Sequence, residues 1–293
     1  MSVGRPVFFE GRASIKLAAT RHGASGPPVI LLHGGGQTRY AFDKSARKVA
    51  AAGFTAFTVD QRGHGESEWA GEGGYTFFDF ADDARLVADA LARQHGVPPV
   101  CIGASLGGLA ALIAQGKSGC FRGLILVDIA PDMKQEGLDA IRGFMRDRAL
   151  EGFASVEEAA AAIAAYLPHR PKPKSLAGLA KNLRLKPDGR YYWHWDPAFS
   201  FGPRGIYVEG TEAVTAAKAS ASSLNVPALL VRGAESELVG EEELKRFRAM
   251  APEAEFADVS GARHMVAGDD NDAFSTAIIS FLRKHFSPAA QNS

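Results

Sequence analysis

The feature that most limits the fold of this chain is an alternation between short, β-branched apolar runs and longer segments of helical periodicity. The apolar runs are nearly continuous, as in strands covered on both faces, and they lie at residues 29–32, 55–59, 100–102, 124–127 and 228–231. Residues 14–20 and 256–259 add flanking strands, and residues 77–95 and 272–285 carry apolar side chains at helical spacing. The pattern predicts an α/β fold with a mostly parallel central sheet flanked by helices.

Composition excludes several classes of protein. Of the 293 residues, 46% are hydrophobic and 23% charged, and Lys+Arg 33 balances Asp+Glu 33, which disfavours a disordered or nucleic-acid-binding chain. Two cysteines, Cys101 and Cys120, are too few for a disulfide framework and suit a reducing compartment. Charges at Arg5 and Glu10 interrupt any signal peptide, and no apolar run is long enough to span a membrane. We therefore predict a cytoplasmic protein with no nucleic-acid or membrane partner.

The strand–helix alternation stops between residues 131 and 224. An Ala-rich helical segment, a Pro/Lys/Arg stretch and an aromatic cluster replace it, at residues 156–166, 169–174 and 191–201. We therefore predict a core formed by residues 1–130 and 225–293, with residues 131–224 inserted as a helical cap. Because the insertion follows a predicted strand, it emerges at the carboxyl edge of the sheet, where open α/β folds bind ligands.

The strongest functional motif is Gly103-Ala104-Ser105-Leu106-Gly107, which follows a predicted strand and opens an Ala/Leu-rich helix. A serine on such a tight turn holds its hydroxyl above the sheet, and small neighbours allow the backbone to turn. The first helix amides point to the same place and can stabilise an oxyanion there. Ser105 is therefore the predicted nucleophile.

A serine hydroxyl needs a general base, usually an imidazole oriented by a carboxylate. Among the histidines after Ser105, His264 alone follows a predicted late strand within a glycine-containing loop, so it is the predicted base.

The loop after the strand at 228–231 carries two candidates for the orienting acid, Glu235 and Glu237. We prefer Glu237, because a turn at Gly233 would direct it back toward the histidine. Glu235 and Asp128, which ends the preceding strand, are the alternatives.

A charged tetrahedral intermediate also needs hydrogen-bond donors. The run His33-Gly34-Gly35-Gly36 directly follows the strand at 29–32, and its glycines allow close approach of the backbone. We assign the oxyanion hole to the N–H groups of Gly35 and Leu106, with Gly34 as the substitute for Gly35 and a substrate-binding candidate. A phosphate-binding loop is disfavoured, because neither a following Lys-Ser/Thr nor a G-x-G-x-x-G pattern is present.

An aromatic cluster in the predicted cap supplies candidates for substrate binding. Trp193, His194 and Trp195 would line an apolar pocket if the cap folds over the sheet edge. The competing interpretation is that the rings form a small core within the cap and that His194 is a packed, hydrogen-bonded histidine.

Taken together, these motifs resemble the α/β-hydrolase family. The resemblance is carried by His33 to Gly36, the turn from Asp60 to Ser67, the Ser105 turn and the late His264, and it covers nearly the whole chain. It is strongest to bacterial esterases, lactonases and cofactor-free haloperoxidase-like hydrolases. It implies an α/β-hydrolase fold with a helical cap after the sixth strand, a Ser-acid-His triad, and neither a metal nor an organic cofactor. Glu237 and Gly35 depart from the family pattern, which usually has Asp and a bulky residue there.

These features predict a carboxylesterase that cleaves a small or medium carboxylic ester or lactone through an acyl-enzyme intermediate. The same triad would also serve a perhydrolase or haloperoxidase-like enzyme, if peroxide replaces water, or a C–C bond hydrolase. A non-catalytic ligand-binding protein is the alternative from another class. The sequence leaves open whether the protein is a homo-oligomer.

Overall fold

A computed structural model describes residues 4–166, 176–259 and 272–287 of the chain. The strands are β1 (Arg5–Glu10), β2 (Lys16–His22), β3 (Pro28–Leu32), β4 (Thr55–Val59), β5 (Val100–Ala104), β6 (Gly123–Val127), β7 (Leu183–Leu185), β8 (Tyr191–Trp193), β9 (Ala228–Gly233) and β10 (Glu255–Val259). The helices are α1 (Asp43–Ala51), α2 (Phe77–His95), α3 (Leu106–Ser118), α4 (Gln135–Arg146), α5 (Val156–Tyr166), α6 (Ala177–Ala180), α7 (Ala198–Phe201), α8 (Gly210–Ser222), α9 (Glu241–Met250) and α10 (Asp272–Phe286).

The central sheet has eight strands in the order β1-β2-β4-β3-β5-β6-β9-β10. The β1–β2 and β2–β4 pairs are antiparallel, and the remaining pairs, from β4 across to β10, are parallel. This arrangement confirms the predicted α/β class and its mostly parallel sheet.

Both faces of the sheet are covered, which explains the continuous apolar runs. Every residue of β3, β4, β5 and β6 is buried. One face packs against apolar side chains of α2, α3, α8 and α9, and the other against α1 and α10. Burial of this surface is the main favourable term in folding.

Helix α2 begins and ends where local signals place it. Thr76 and Asp79 form a capping box at its start, and Gly96 follows its last residue with a φ of 73°. Strand β1 was not predicted, because it is an edge strand whose residues are exposed or half-buried and so show no continuous apolar run.

The segment between β6 and β9 contains more than helices. It carries a small antiparallel sheet of β7 and β8. Phe153, Ala159 and Leu183 form a separate small apolar cluster there, whereas α8 packs its alanines into the main core. Within the described residues, no helix has the length and apolar character needed to cross a membrane.

Candidate active site

Ser105 lies between β5 and α3 in a backbone conformation that is unfavourable for a residue with a side chain. Its φ is 46° and its ψ −114°, and its side chain makes no capping hydrogen bond to the helix that follows. A hydrogen bond to the neighbouring strand β6 stabilises the turn, because the Ser105 N–H donates to the Val127 carbonyl over 3.3 Å. Such strain costs about 1–3 kcal/mol and is concentrated at functional sites.

The glycines on each side of Ser105 are required by close contact. A Cβ at Gly103 would lie 2.6 Å from the Gly107 carbonyl oxygen, and one at Gly107 would lie 2.5 Å from the Leu32 carbonyl oxygen. Helix α3 therefore begins directly against β3, with the closest contact at the residue two positions after Ser105.

The glycine loop after β3 lies beside Ser105. A Cβ at Gly34 would approach the Ser105 Cβ to 3.4 Å. The Gly34 N–H donates to Gln37 Oε1 at 3.0 Å and the Gly36 N–H to His64 Nε2 at 3.1 Å, whereas the Gly35 N–H has no acceptor among the described residues. Among the three glycines of this loop, Gly35 is thus the one whose N–H remains available to a ligand. Leu106 carries the first amide of α3, which has no acceptor within the helix.

Asp128 follows β6 and is almost completely buried, with 1% of its surface exposed. Its φ is 50°, in the region that disfavours a residue with a Cβ. Its carboxylate accepts hydrogen bonds from the Ser236 hydroxyl at 2.7 Å and the Gly233 N–H at 3.2 Å. The Ser236 oxygen accepts in turn from the N–H groups of Leu238 and Val239, so its single proton is directed at Asp128. Asp128 is therefore held by hydrogen bonds from the end of β9 and from the loop after it, the loop that carries Glu235 and Glu237.

Glu235 and Glu237 are exposed. Tyr166, at the end of α5, has a raised pKa, first because it is buried and second because of the negative charge of Glu237. The Glu237 carboxylate is therefore close enough to the inserted segment for its negative charge to raise the pKa of Tyr166. The predicted base, His264, lies outside the described residues.

Three buried histidines surround the glycine loop. Burial lowers the pKa of His33, His64 and His194 to about 3, so each imidazole is neutral. His33 donates from Nδ1 to the Gly34 carbonyl and accepts the Gln61 N–H at Nε2, which makes it a brace for the loop.

His64 and His194 both form hydrogen bonds with the backbone of Gly36 in the glycine loop. His64 accepts the Gly36 N–H, and its Nδ1 donates to the Arg62 carbonyl at 2.9 Å. His194 donates from Nε2 to the Gly36 carbonyl at 3.1 Å and accepts the Gly65 N–H at Nδ1 over 2.7 Å. Both ring nitrogens of His194, a predicted substrate-binding residue, are thus bonded to backbone groups.

Side chains from the inserted segment cover the glycine loop. A Cβ at Gly35 would lie 3.5 Å from the Phe199 ring and 3.9 Å from the Met145 sulfur, and one at Gly36 would lie 3.7 Å from the Trp195 indole nitrogen. Trp193 instead packs edge-on against Phe153, with ring centroids 5.0 Å apart. Trp195 is thus beside the glycine loop, whereas the half-buried Trp193 packs between the cluster that contains Trp195 and Phe199 and the small apolar cluster of the insertion.

Sequence reasoning did not single out Met145, Phe199 or His64. Phe199 lies within the aromatic cluster at 191–201, and the composition of that cluster was a partial signal for its position near the site. Nothing in the local sequence marks Met145. His64 belongs to a turn whose other polar residues serve internal contacts, such as Asp60, which pairs with Arg39 and accepts the Glu66 N–H. No three His, Cys, Asp or Glu side chains among the described residues are grouped as a metal ion would require.

Comparisons with known proteins identify the family of this chain. The family model described as serine aminopeptidase, S33 (Hydrolase_4) matches residues 26–271. Esterase Rv0045c of Mycobacterium tuberculosis is 28% identical over 235 residues, which cover 78% of this chain and 72% of the esterase. The 2-(acetamidomethylene)succinate hydrolase of Mesorhizobium japonicum is 27% identical over 269 residues, 89% of this chain and 90% of the relative.

Solved structures show the same fold. A crystal structure of E-2-(acetamidomethylene)succinate hydrolase superposes with a TM-score of 0.81 and 24% identity, covering 96% of this chain and 99% of the other. A structure of the M. tuberculosis esterase Rv0045c superposes with a TM-score of 0.71, covering 97% of this chain and 92% of the other. With the family model spanning most of the sequence, these matches show that this chain belongs to the Hydrolase_4 family of α/β-hydrolases.

Proposed function

We propose that this hydrolase cleaves a small or medium carboxylic ester or lactone through an acyl-enzyme intermediate. The observation that carries the proposal is the pairing of a strained Ser105 turn with the adjacent glycine loop, in which Gly35 keeps its N–H available. A nucleophile and a preorganised oxyanion donor are the two elements that acyl transfer requires in one place.

In the proposed reaction, the Ser105 Oγ attacks the carbonyl carbon while His264 takes its proton. The carbonyl oxygen becomes an oxyanion that accepts hydrogen bonds from the Gly35 and Leu106 amides. The intermediate collapses as the ester oxygen leaves with the proton from His264. A water molecule, deprotonated by His264, then attacks the acyl carbon, and Ser105 recovers its proton as the carboxylic acid is released.

We infer that Asp128 is a stronger candidate than Glu237 for the acid that orients His264. A triad acid is usually buried and acts through a fixed hydrogen bond to the imidazole. Asp128 meets the first condition, and the donors Ser236 and Gly233 hold its carboxylate in a defined orientation. Glu237, which remains the prediction from sequence, is exposed and acts on Tyr166.

The side chains over the glycine loop support a substrate with an apolar acyl group. Phe199, Met145 and Trp195 approach the positions of Gly35 and Gly36. We expect the acyl chain of a bound ester to lie against these apolar side chains. The absence of a side chain at Gly35 is therefore matched by bulky groups from the insertion. Gly34 and Trp195 remain candidate substrate contacts, and Trp193 is a weaker one.

Labelling and turnover test the nucleophile. Wild-type protein is expected to react stoichiometrically at Ser105 with a fluorophosphonate probe and to hydrolyse p-nitrophenyl acetate or butyrate. Ser105→Ala should abolish labelling and lower turnover by about 10³-fold or more, because the triad acts as a unit. Near-native turnover by Ser105→Ala would refute the proposal.

A matched pair of variants tests the acid. Asp128→Asn should lower kcat by about 10³–10⁴-fold, the loss expected when an imidazole loses its orienting carboxylate. Glu237→Gln serves as the control and should remain within a few-fold of wild type. The reverse result would assign the role to Glu237.

A second candidate substrate is an unsaturated dicarboxylic acid that carries an acetamido group. It is favoured by the match, over most of both chains, to a relative named 2-(acetamidomethylene)succinate hydrolase. Assaying that compound beside the p-nitrophenyl esters distinguishes the two candidates, since only one should show Ser105-dependent turnover at low substrate concentration.

A further inference from the structure

We propose that His194 and His64 are positioning residues that hold the Gly36 peptide groups from both sides and so aim the Gly35 amide at the reacting carbonyl. The proposal rests on the proposed hydrolase function and extends it to two imidazoles whose ring nitrogens are all bonded to backbone groups. We call these two histidines and Gly36 the Gly36 clamp.

The clamp uses one nitrogen of each ring. His64 accepts the Gly36 N–H and His194 donates to the Gly36 carbonyl, each over 3.1 Å. The second nitrogen of each ring is bonded elsewhere, to the Arg62 carbonyl and the Gly65 N–H respectively. With both nitrogens occupied, each imidazole has a fixed tautomer and a fixed orientation.

The clamp has a specific consequence for the oxyanion hole. Gly36 has a φ of 74°, a conformation that glycine adopts and leaves readily, so local backbone preference alone does not fix the loop at this residue. Fixing the peptide groups of Gly36 restricts the peptide before it, whose N–H belongs to Gly35. Because an oxyanion donor must meet the developing charge within a few tenths of an ångström, loss of this restraint should affect the transition state more than substrate binding.

The two histidines come from different parts of the molecule. His64 follows β4 in the core, and His194 follows β8 in the inserted segment. The same part of the insertion makes further contacts with the core loops: the Thr38 hydroxyl donates to Asn182 at 3.2 Å, and the Asp196 N–H donates to the Gly63 carbonyl at 2.8 Å. The insertion therefore supports the glycine loop in addition to covering the site.

Glutamine and asparagine substitutions separate positioning from general stability. The amide of Gln reaches the place of an imidazole Nε2, and the amide of Asn reaches that of Nδ1. At position 194, Gln keeps a donor for the Gly36 carbonyl and loses the Gly65 contact. Asn at this position keeps an acceptor for the Gly65 N–H and loses the donor for Gly36. At position 64, Gln keeps an acceptor for the Gly36 N–H, whereas Asn keeps only the contact with Arg62. Each variant loses one hydrogen bond, but only the Asn variants release Gly36.

We expect His194→Gln and His64→Gln to stay within about 3-fold of wild-type kcat. The Asn variants should lose about 10–100-fold in kcat with KM within about 2-fold, because a displacement near 1 Å at the reacting groups can cost about 10²-fold. Affinity for a trifluoromethyl ketone, which forms an oxyanion on Ser105, should fall by a similar factor. His22→Asn removes another buried imidazole, on β2, and should leave kcat unchanged.

Hydrogen–deuterium exchange of residues 33–38 provides a readout that needs no substrate. Exchange should be faster in the Asn variants than in the Gln variants and wild type. Equal kcat ratios and equal exchange for Asn and Gln at both positions would overturn the clamp. If wild-type protein shows no Ser105-dependent turnover, the proposed function fails, while the exchange contrast still supports or refutes the clamp.

Discussion

Replacing Gly107 with alanine tests whether the Ser105 turn depends on direct contact between helix α3 and the sheet. The added Cβ would lie 2.5 Å from the Leu32 carbonyl oxygen and 2.6 Å from the Leu32 Cβ, whereas ordinary contact begins at 3.4 Å. Because β3 is paired with β4 on one side and β5 on the other, the beginning of α3 must move, by about 0.9 Å along the shortest contact.

Two opposing terms determine the effect on stability. Overpacking of this size costs about 1–3 kcal/mol. Alanine is preferred over glycine within a helix by about 1 kcal/mol, which offsets part of that cost. The free energy of unfolding should therefore fall by about 0–2 kcal/mol. Turnover should respond more strongly, since Ser105 and Leu106 directly precede the displaced residue, and a shift near 1 Å can cost about 10²-fold.

The assay combines urea unfolding with p-nitrophenyl ester kinetics. Gly143→Ala is the matched control, because Gly143 is exposed on α4 and a Cβ there meets nothing within 4 Å. It should raise the free energy of unfolding by about 1 kcal/mol and leave kcat unchanged. If Gly107→Ala behaves like this control, the contact between α3 and β3 does not set the position of Ser105.

Two further predictions concern the buried histidines and the apolar side of the site. The pKa values of His33, His64 and His194 are about 3 in the folded protein and near 6.5 when unfolded. Acidification from pH 6.5 toward pH 3 therefore protonates these imidazoles in the unfolded chain and leaves them neutral in the folded protein. The free energy of unfolding should therefore fall toward pH 3 by up to about 1.4 kcal/mol per pH unit for each histidine, and urea titrations should show a shallower slope for His64→Gln; identical slopes would contradict this. Phe199→Ala should cost about 3–5 kcal/mol of stability and shift the kcat/KM preference toward longer acyl chains, because it opens the space beside Gly35. An unchanged ratio of butyrate to hexanoate turnover would show that Phe199 does not border the acyl chain.

The fold class could be predicted because its signals are local. Buried strands need continuous apolar runs, and those runs coincide with β3 to β6 and β9. The edge strand β1 and the short strands β7 and β8 carry no such run, since each is only partly covered. Helix α8 lay in the segment predicted as a cap, yet its alanines pack against α3, a contact that nothing within the helix itself specifies.

The same distinction between local signals and long-range contacts applies to the residues of the candidate site. A strand-to-helix turn with small neighbours marks Ser105, and a glycine run after β3 marks the proposed oxyanion loop, since both depend on residues adjacent in the chain. The choice among acids depends instead on burial and on donors from another loop, as the hydrogen bond from Ser236 to Asp128 spans 108 positions. Periodicity and motif spacing carry no information about such a pairing.

The amino-acid sequence alone determined the layered α/β architecture and the tight strand-to-helix turn at Ser105, the proposed nucleophile, because backbone propensity and hydrophobic periodicity act over short distances along the chain. Tertiary structure alone decided what surrounds that turn. Met145 and Phe199 reach the glycine loop from a distant segment, and His194 bonds to Gly36 across 158 positions. Such contacts arise from the way the insertion packs on the sheet, which depends on the shape and burial of both surfaces together.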